Sequence, residues 1–121
     1  MPIQKILLVD DSRTELHHLG EMLRKAGYSV RTAENGQQAL TSLAEDKPDL
    51  ILMDVVLPGA NGFQLTRTIT RDERYADLPV IICSSKGQTT DKVWGMRQGA
   101  RDYVVKPVDS AELLAKIRAL G

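Results

Sequence analysis

Residues 6–11 read Ile-Leu-Leu-Val-Asp-Asp, and residues 50–54 repeat the pattern as Leu-Ile-Leu-Met-Asp. Short apolar runs without alternation are typical of strands that are covered on both faces. A carboxylate at the end of a buried strand is costly unless a positive charge neutralises it. The two stretches therefore predict two buried strands and an acidic site at the place where they end.

The rest of the chain extends this pattern into a regular alternation of strands and helices. Predicted strands cover residues 6–9, 28–33, 50–53, 80–83 and 103–105. A segment of helical period follows each of them, with the fourth helix over about residues 90–98. This alternation predicts an α/β fold with a doubly wound, five-stranded parallel sheet of flavodoxin-like order 2-1-3-4-5. Strands one and three are then neighbours at about 4.8 Å, which brings Asp10, Asp11 and Asp54 into one cleft.

Composition limits the class of protein further. The chain has 121 residues, 42% of them hydrophobic, with 16 basic and 16 acidic residues. We expect a single domain over residues 1–121 without an effector domain, and the absence of a basic block argues against nucleic-acid binding. No apolar run reaches the roughly 20 residues that span a bilayer, and Cys83 is the only cysteine. A cytoplasmic location is the default expectation.

The clustered carboxylates suggest a chemistry. Three neighbouring carboxylates repel one another, and Mg²⁺ is a hard cation that binds such oxygens together with phosphate oxygens. With the metal present, one aspartate is free to act as a nucleophile towards a phosphoryl group and to form an acyl phosphate. Lys106 and Ser84, each near the end of a predicted strand, could donate to the phosphoryl oxygens.

At this point the chain resembles a known family, the receiver domains of two-component response regulators, from Lys5 to about Leu120. The resemblance rests on acidic residues after strands one and three, a hydroxyl after strand four, and an aromatic residue and a Lys-Pro pair on strand five. These residues are Asp10, Asp11, Asp54, Ser84, Tyr103, Lys106 and Pro107. The loop over residues 54–62 also matches, although Leu57 stands where the family usually has methionine.

The resemblance implies a role for each acidic residue. Asp54 would be the phosphoacceptor. Asp11 and Asp54 would coordinate Mg²⁺ directly, with the backbone carbonyl of Val56 as a further ligand and Asp10 acting mainly through water. The chain would then be a phosphoacceptor switch with at most intrinsic self-phosphorylation and autodephosphorylation, and not an enzyme in the usual sense.

The remaining matches imply how such a switch would operate. Lys106 would pair with the phosphoryl group, Ser84 would swing towards it, and Tyr103 would turn inward into the space that Ser84 vacates. The Lys106-Pro107 bond is similar to one that is cis in the family. The packing of helix four, strand five and helix five would change as a result.

The resemblance also implies partners. A histidine kinase or its phosphotransfer domain would donate the phosphoryl group, and a downstream protein would bind the face formed by helix four, strand five and helix five. The protein would be a monomer or a weak homodimer, without nucleic-acid or membrane partners. Residues 91–103 are most similar to stand-alone receivers of chemotaxis-like systems that govern type IV pili and twitching motility.

Several alternatives stay open from sequence. The protein could serve as a phosphate sink or as a phosphorylation-independent scaffold. A flavodoxin-like cofactor binder is disfavoured, because the loop after strand one carries Asp10 and Asp11 where a phosphate would need donors. A Mg²⁺-dependent phosphatase would require an aspartate at position 56, which is valine.

Helix four and the histidines raise smaller questions. We expect Val93, Met96 and Ala100 to form a stripe that faces the core, with Trp94 on the flank or outside and Gly95 softening the helix. His17 and His18 are adjacent on a helix, so their side chains diverge by about 100° and do not suit a shared metal.

Overall fold

The structure is a computed structural model that describes residues 2–121. Its elements in chain order are β1 (Lys5–Val9), α1 (Arg13–Lys25), β2 (Ser29–Ala33), α2 (Gly36–Glu45), β3 (Leu50–Met53), β4 (Val56–Leu57), β5 (Ala60–Asn61), α3 (Gly62–Arg71), a 3-10 turn (Glu73–Tyr75), β6 (Val80–Ser84), α4 (Thr89–Arg97), β7 (Asp102–Val105) and α5 (Ser110–Leu120). None of the helices within residues 2–121 has the length and apolarity needed to cross a bilayer.

Five strands form one parallel sheet in the order β2-β1-β3-β6-β7. This is the predicted order, because β6 and β7 are the fourth and fifth strands of the sheet. The fold class predicted from the alternation of apolar runs is therefore confirmed.

A short antiparallel hairpin, β4 with β5, lies outside the sheet and was predicted only as a loop. Its two pairs join Val56 to Asn61 and Leu57 to Ala60. Two-residue strands are too short to show the alternation of side chains from which strands are predicted. Gly59 allows the sharp reversal between them because it adopts a φ of +65°.

The two faces of the sheet explain the continuous apolar runs. Alternate residues of the central strands, such as Ile6 and Leu8, pack with α1 and α5 on one face. Their neighbours Leu7 and Val9 pack with α2 and α3 on the other face. Because both faces are covered, every residue of a central strand gains stability from burial, and alternation is lost.

Side-chain caps fix where the helices begin after the strands. The Ser12 hydroxyl accepts a hydrogen bond of 3.3 Å from the Glu15 amide at the start of α1. Asp109 accepts one of 3.1 Å from the Glu112 amide at the start of α5. Such caps satisfy backbone donors that the helix itself leaves free. Because these caps start α1 and α5 soon after β1 and β7, the loops between them, which carry candidate site residues, are short.

Helix α4 departs from prediction. Val93 and Met96 are exposed, so the proposed core-facing stripe is wrong for both, although Ala100 is buried. The residue that faces the sheet is Gly95, where an added Cβ would lie 2.9 Å from Ile82 Cδ1 and 3.2 Å from Tyr103 Cδ2. The prediction assumed that large apolar residues mark the inner face, whereas this helix approaches the sheet closely through a residue without a side chain.

Candidate functional site

The structure brings the three predicted acidic residues together at the carboxyl edge of the sheet. Asp10 and Asp11 follow β1 and Asp54 follows β3, and these strands pair in register with Val9 opposite Met53. One carboxylate oxygen from each aspartate lies within 4.8 Å of the other two. Asp10 and Asp54 are buried while Asp11 is exposed, so the cleft opens to solvent on the Asp11 side.

Lys106, which follows β7, reaches into the same cleft. Its Nζ lies 2.6 Å from Asp10 Oδ2 and 3.7 Å from Asp54 Oδ1. The side chains of Lys106 and Asp10 are only 15% and 4% exposed. Burial opposes the ammonium charge, but the hydrogen bond to Asp10 and the charges of Asp10 and Asp54 outweigh it, so the pKa of Lys106 is raised. The lysine is therefore a cation held between two carboxylates. The Lys106-Pro107 peptide bond is cis, as the resemblance implied.

The two oxygens of Asp54 have different surroundings. Oδ1 accepts a hydrogen bond of 2.9 Å from the Val55 amide and is the oxygen nearer to Lys106. Oδ2 receives no hydrogen bond from residues 2–121, and no buried side-chain oxygen of those residues lacks a partner, so Oδ2 must be open to solvent. Burial is the main cause of a raised pKa at Asp54; Lys106 opposes it, and the charges of Asp10 and Asp11 add to it. The cluster thus holds more negative charge than its one ammonium group compensates.

Gly62, which sequence reasoning left as one of several turn residues, holds the backbone behind Asp54. An added Cβ there would lie 1.9 Å from the Asp54 carbonyl oxygen, a distance that no side chain can occupy. The Gly62 amide donates a bond of 2.7 Å to the Val55 carbonyl, and the Thr66 hydroxyl donates one of 2.8 Å to the Gly62 carbonyl. A glycine among turn residues is the only signal in the sequence, and it does not reveal this close approach.

Ser84 and Tyr103 lie beside the cleft and are joined through Lys86. The Ser84 hydroxyl accepts a bond of 3.1 Å from the Lys86 amide, and the Tyr103 hydroxyl donates to the Lys86 carbonyl. Both side chains are buried, and burial raises the pKa of Tyr103. Tyr103 is thus already packed inward under α4, and the loop that follows β6 links it to Ser84.

The other residues singled out from sequence lie where their chemistry is limited. Val56 is exposed, two residues after Asp54. His17 and His18 are exposed on α1. Cys83 is buried, and burial raises the pKa of its thiol to about 12, as expected for a core residue without a reactive thiolate.

The donor set fits Mg²⁺. The ion prefers oxygen ligands and is usually held by one or two carboxylates, while waters and phosphate oxygens complete its shell. Asp10 already uses both oxygens, with Oδ1 accepting from the Ser12 amide and Oδ2 from Lys106. Asp11 and the outer oxygen of Asp54 are less committed, so they are the carboxylates that could hold the metal directly. The excess of negative charge in the cleft favours a cation there.

The chain matches the family model described as response regulator receiver domain over residues 6–118. It therefore belongs to the response regulator receiver family, whose members are phosphoacceptor switches.

Two curated relatives show the range of that likeness. Protein PilH of Pseudomonas aeruginosa is 53% identical over 116 residues, which cover 96% of each chain. The phosphate regulon transcriptional regulatory protein PhoB of the same species is 42% identical over 115 residues, which cover 95% of this chain but only 50% of PhoB. Among solved structures, the chemotaxis response regulator CheY4 of Vibrio cholerae superposes with a TM-score of 0.91 at 28% identity, covering 98% of this chain and 99% of that one. The chain is thus similar in length to PilH and CheY4.

Proposed function

We propose that the protein is a stand-alone response regulator that accepts a phosphoryl group on Asp54 from a phosphohistidine, in a reaction that needs Mg²⁺. The observation that carries this proposal is the uncommitted Oδ2 of Asp54, which is open to solvent in a cleft with an ammonium group nearby. A carboxylate oxygen without a hydrogen bond is the available nucleophile of the cluster.

The geometry of the cleft supports the following course for the transfer. Asp54 Oδ2 attacks phosphorus, and the bond from phosphorus to the histidine nitrogen breaks. The electron pair of that bond stays on the ring, which is protonated on its other nitrogen and therefore leaves as neutral imidazole. When bound, Mg²⁺ supplies positive charge that neutralises the phosphoryl oxygens. Lys106 moves part of its interaction from Asp10 to the new phosphoryl group, since its Nζ already lies within 3.7 Å of Asp54. Ser84 provides a hydroxyl donor on the neighbouring strand.

Asp11 and Asp54 hold the metal directly in this proposal, with the Val56 carbonyl as a further ligand, and Asp10 acts through water. The two hydrogen bonds that occupy the oxygens of Asp10 support this division. The protein performs no turnover on another substrate; its chemistry is limited to accepting the phosphoryl group and losing it by hydrolysis.

The output is a change in the surface formed by α4, β7 and α5. When Ser84 turns towards the phosphoryl group, it gives up the Lys86 amide, and Tyr103 is bonded to the carbonyl of the same residue. A charge change at Asp54 therefore alters contacts that end at α4, and a downstream protein reads the result. We place this protein in chemotaxis-like control of type IV pili and twitching motility, in the cytoplasm; the identity to PilH supports the placement.

Phosphorylation with a small phosphodonor tests the acceptor. Intact-mass measurement should show one added phosphoryl group on the wild type only when Mg²⁺ is present. Asp54→Ala should abolish it, while Asp46→Ala, which removes an exposed carboxylate at the end of α2, should not. Label that persists in Asp54→Ala would exclude Asp54 as the sole acceptor.

The pathway is tested in cells. Expression in a Pseudomonas aeruginosa strain that lacks PilH should restore normal twitching zones, and expression of Asp54→Ala should not. Restoration by both would favour a scaffold that works without phosphorylation. A protein that accepts phosphoryl groups but binds no target in either state would be a phosphate sink.

A further inference from the structure

Strand β2 forms one edge of the sheet, so half of its backbone groups face no neighbouring strand. The Ser29 amide donates to the Gln4 carbonyl, so Ser29 turns its backbone groups towards β1. Because these groups alternate in direction along a strand, those of Val30 and Thr32 point outward. An outward row of donors and acceptors is a template on which another strand can pair.

Two side chains occupy the ends of this outward row. Arg24 of α1 donates from Nη2 to the Val30 carbonyl at 3.3 Å. Every second residue from Val30 is Thr32 and then Glu34, and the Glu34 amide donates to Gln38 Oε1 of α2 at 2.8 Å. Between these two caps, the backbone groups of Thr32 have no hydrogen-bond partner within residues 2–121. Helices on opposite faces of the sheet thus each supply one cap to the same edge.

Local features of the two helices place these caps. An added Cβ at Gly20 would lie 3.2 Å from Arg24 Nη1, so the guanidinium lies over a residue that has no side chain. Arg24 forms no ion pair with any of residues 2–121, and the Val30 carbonyl is its partner instead. The Asn35 side chain accepts from the Gln38 amide at 2.8 Å, which fixes Gln38 in the first turn of α2 and within reach of Glu34.

We infer that the outer edge of β2 is a pairing surface for a second copy of this chain, and that Arg24 and Gln38 prevent this pairing. With both caps in place, an added strand finds the Val30 carbonyl and the Glu34 amide already occupied, and it would have to cover a guanidinium group. Neither cap takes part in the proposed phosphoryl transfer, so phosphorylation of Asp54 should be unchanged in variants of either one.

Symmetry and charge favour a second copy as the occupant. If two β2 strands meet antiparallel about a two-fold axis at Arg31, Val30 of each copy lies opposite Thr32 of the other, and the two residues exchange both backbone hydrogen bonds. The two Arg31 side chains would then face each other. Each is already paired with Glu45 of its own chain at 3.0 Å, which offsets their repulsion. Arg31 is the only charged residue of β2, so no other charge opposes the pairing.

The test removes both caps and measures self-association. The open-edge variant carries Arg24→Ala together with Gln38→Ala. The matched control carries Arg13→Ala together with Gln37→Ala, which removes the same residue types from the same two helices. Arg13 pairs with the carboxylate of Glu34, and neither control residue bonds to an outward backbone group of β2. Sedimentation equilibrium over a range of protein concentrations gives the dissociation constant, and amide hydrogen exchange locates the contact.

We expect the open-edge variant to associate with a dissociation constant at least about tenfold lower than that of the wild type, because each removed cap frees one backbone group for a hydrogen bond between copies. The control should associate no more than the wild type. The amides of Val30 and Thr32 should exchange at least about tenfold more slowly in the associated variant than in the wild type at the same concentration. Arg24→Ala alone and Gln38→Ala alone should give intermediate association, so they carry the test if the double variant folds poorly.

A peptide of residues 28–34 identifies the occupant. It should compete with self-association of the open-edge variant, and a scrambled peptide of the same composition should not. Equal competition by both peptides would mean that the edge accepts any extended segment and would contradict the choice of a second copy. An open-edge variant that stays monomeric with its fold intact by urea unfolding would overturn the inference. Association without slower exchange at Val30 and Thr32 would do so as well, because the contact would then lie elsewhere.

Discussion

Replacing Lys106 with methionine should destabilise the protein and make its stability depend strongly on Mg²⁺. Methionine keeps an unbranched chain of similar length but removes the ammonium group that lies 2.6 Å from Asp10 and 3.7 Å from Asp54. At an effective dielectric constant of about 20, these two attractions are about 6 and about 4.5 kcal/mol. Desolvation of the ions offsets much of this sum, and removing one partner of a buried pair typically costs about 3–5 kcal/mol.

We expect Lys106→Met to lower the free energy of unfolding by about 3 kcal/mol at neutral pH. This is the low end of that range, because the cleft is open to solvent on the Asp11 side. The pKa of Lys106 is raised, so its contribution is fully present below its ordinary pKa of about 10.4 and is lost only as the pH rises through the raised value. The difference in free energy of unfolding between wild type and variant should therefore be constant through neutral pH and disappear in strong alkali.

Urea unfolding with and without Mg²⁺ is the assay. An ion at 100 times its Kd stabilises the folded state by about 2.7 kcal/mol, and the variant should bind Mg²⁺ more tightly because a neighbouring positive charge is gone. Mg²⁺ should therefore reduce the difference in free energy of unfolding between the two proteins by about 1 kcal/mol or more. Adding Asp10→Asn to the variant should also recover stability, since it removes a buried charge that has lost its partner.

The matched control is Lys5→Met, which breaks an ion pair of 2.8 Å with Asp46 whose side chains are 54% and 43% exposed. Exposed pairs contribute little to stability because solvent screens the two charges. The reasoning is refuted if Lys106→Met costs no more than Lys5→Met, or if Mg²⁺ stabilises wild type and variant equally.

Three further predictions concern the same cleft. Burial raises the pKa of Asp54 in the folded protein, so the ionised carboxylate destabilises the fold above that pKa. Asp54→Asn should therefore unfold at a higher urea concentration than the wild type at pH 7 without Mg²⁺. This difference in unfolding midpoint should vanish in acid, below the ordinary aspartate pKa of about 3.9. Gly62→Ala should lower the free energy of unfolding by about 3 kcal/mol or more and abolish phosphorylation, because its Cβ would meet the Asp54 carbonyl at 1.9 Å. The control Gly59→Ala has open space around it and a φ of +65°, so it should lower the free energy of unfolding by about 1 kcal/mol in the same urea assay and leave phosphorylation intact. Val56→Asn should speed loss of the phosphoryl group by about tenfold, since an amide two residues after Asp54 can orient water by hydrogen bonding and an exposed valine cannot. Equal decay in the two proteins, measured by intact mass over time, would contradict this.

The central strands and the meeting of the carboxylates could be predicted because both follow from one regularity. Buried parallel strands are apolar throughout, and the residues that follow adjacent strands must meet at one edge of the sheet. Asp10 and Asp54 lie close together because they follow adjacent strands, and the residues next to them in the sequence give no sign of this proximity. Lys106 joins them from β7, which is two strands away from β3, because its side chain is long enough to cross the cleft.

Close backbone approach could not be predicted in the same way. Gly62 and Gly95 allow close approach because they have no side chain. A sequence shows that a glycine is present, but it does not show which atoms occupy the space that a Cβ would take. The same reason explains the error in α4. A helical pattern identifies the inner face from large apolar residues, and the pattern fails where a glycine forms the contact and Val93 and Met96 face outward.

The weak anchoring of α4 gives a physical reason why this helix, and not α1, would respond to a charge change at Asp54. Helix α1 buries three leucines against the sheet, whereas α4 buries only Gly95. An element with little buried apolar surface can be shifted by a small difference in free energy. One of the side chains that lie against Gly95 is the ring of Tyr103. The Tyr103 hydroxyl donates a hydrogen bond to the carbonyl of Lys86, and the Lys86 amide donates one to Ser84. A movement of Ser84 that gave up the Lys86 amide would therefore reach, through Lys86 and Tyr103, a helix that buries only a glycine.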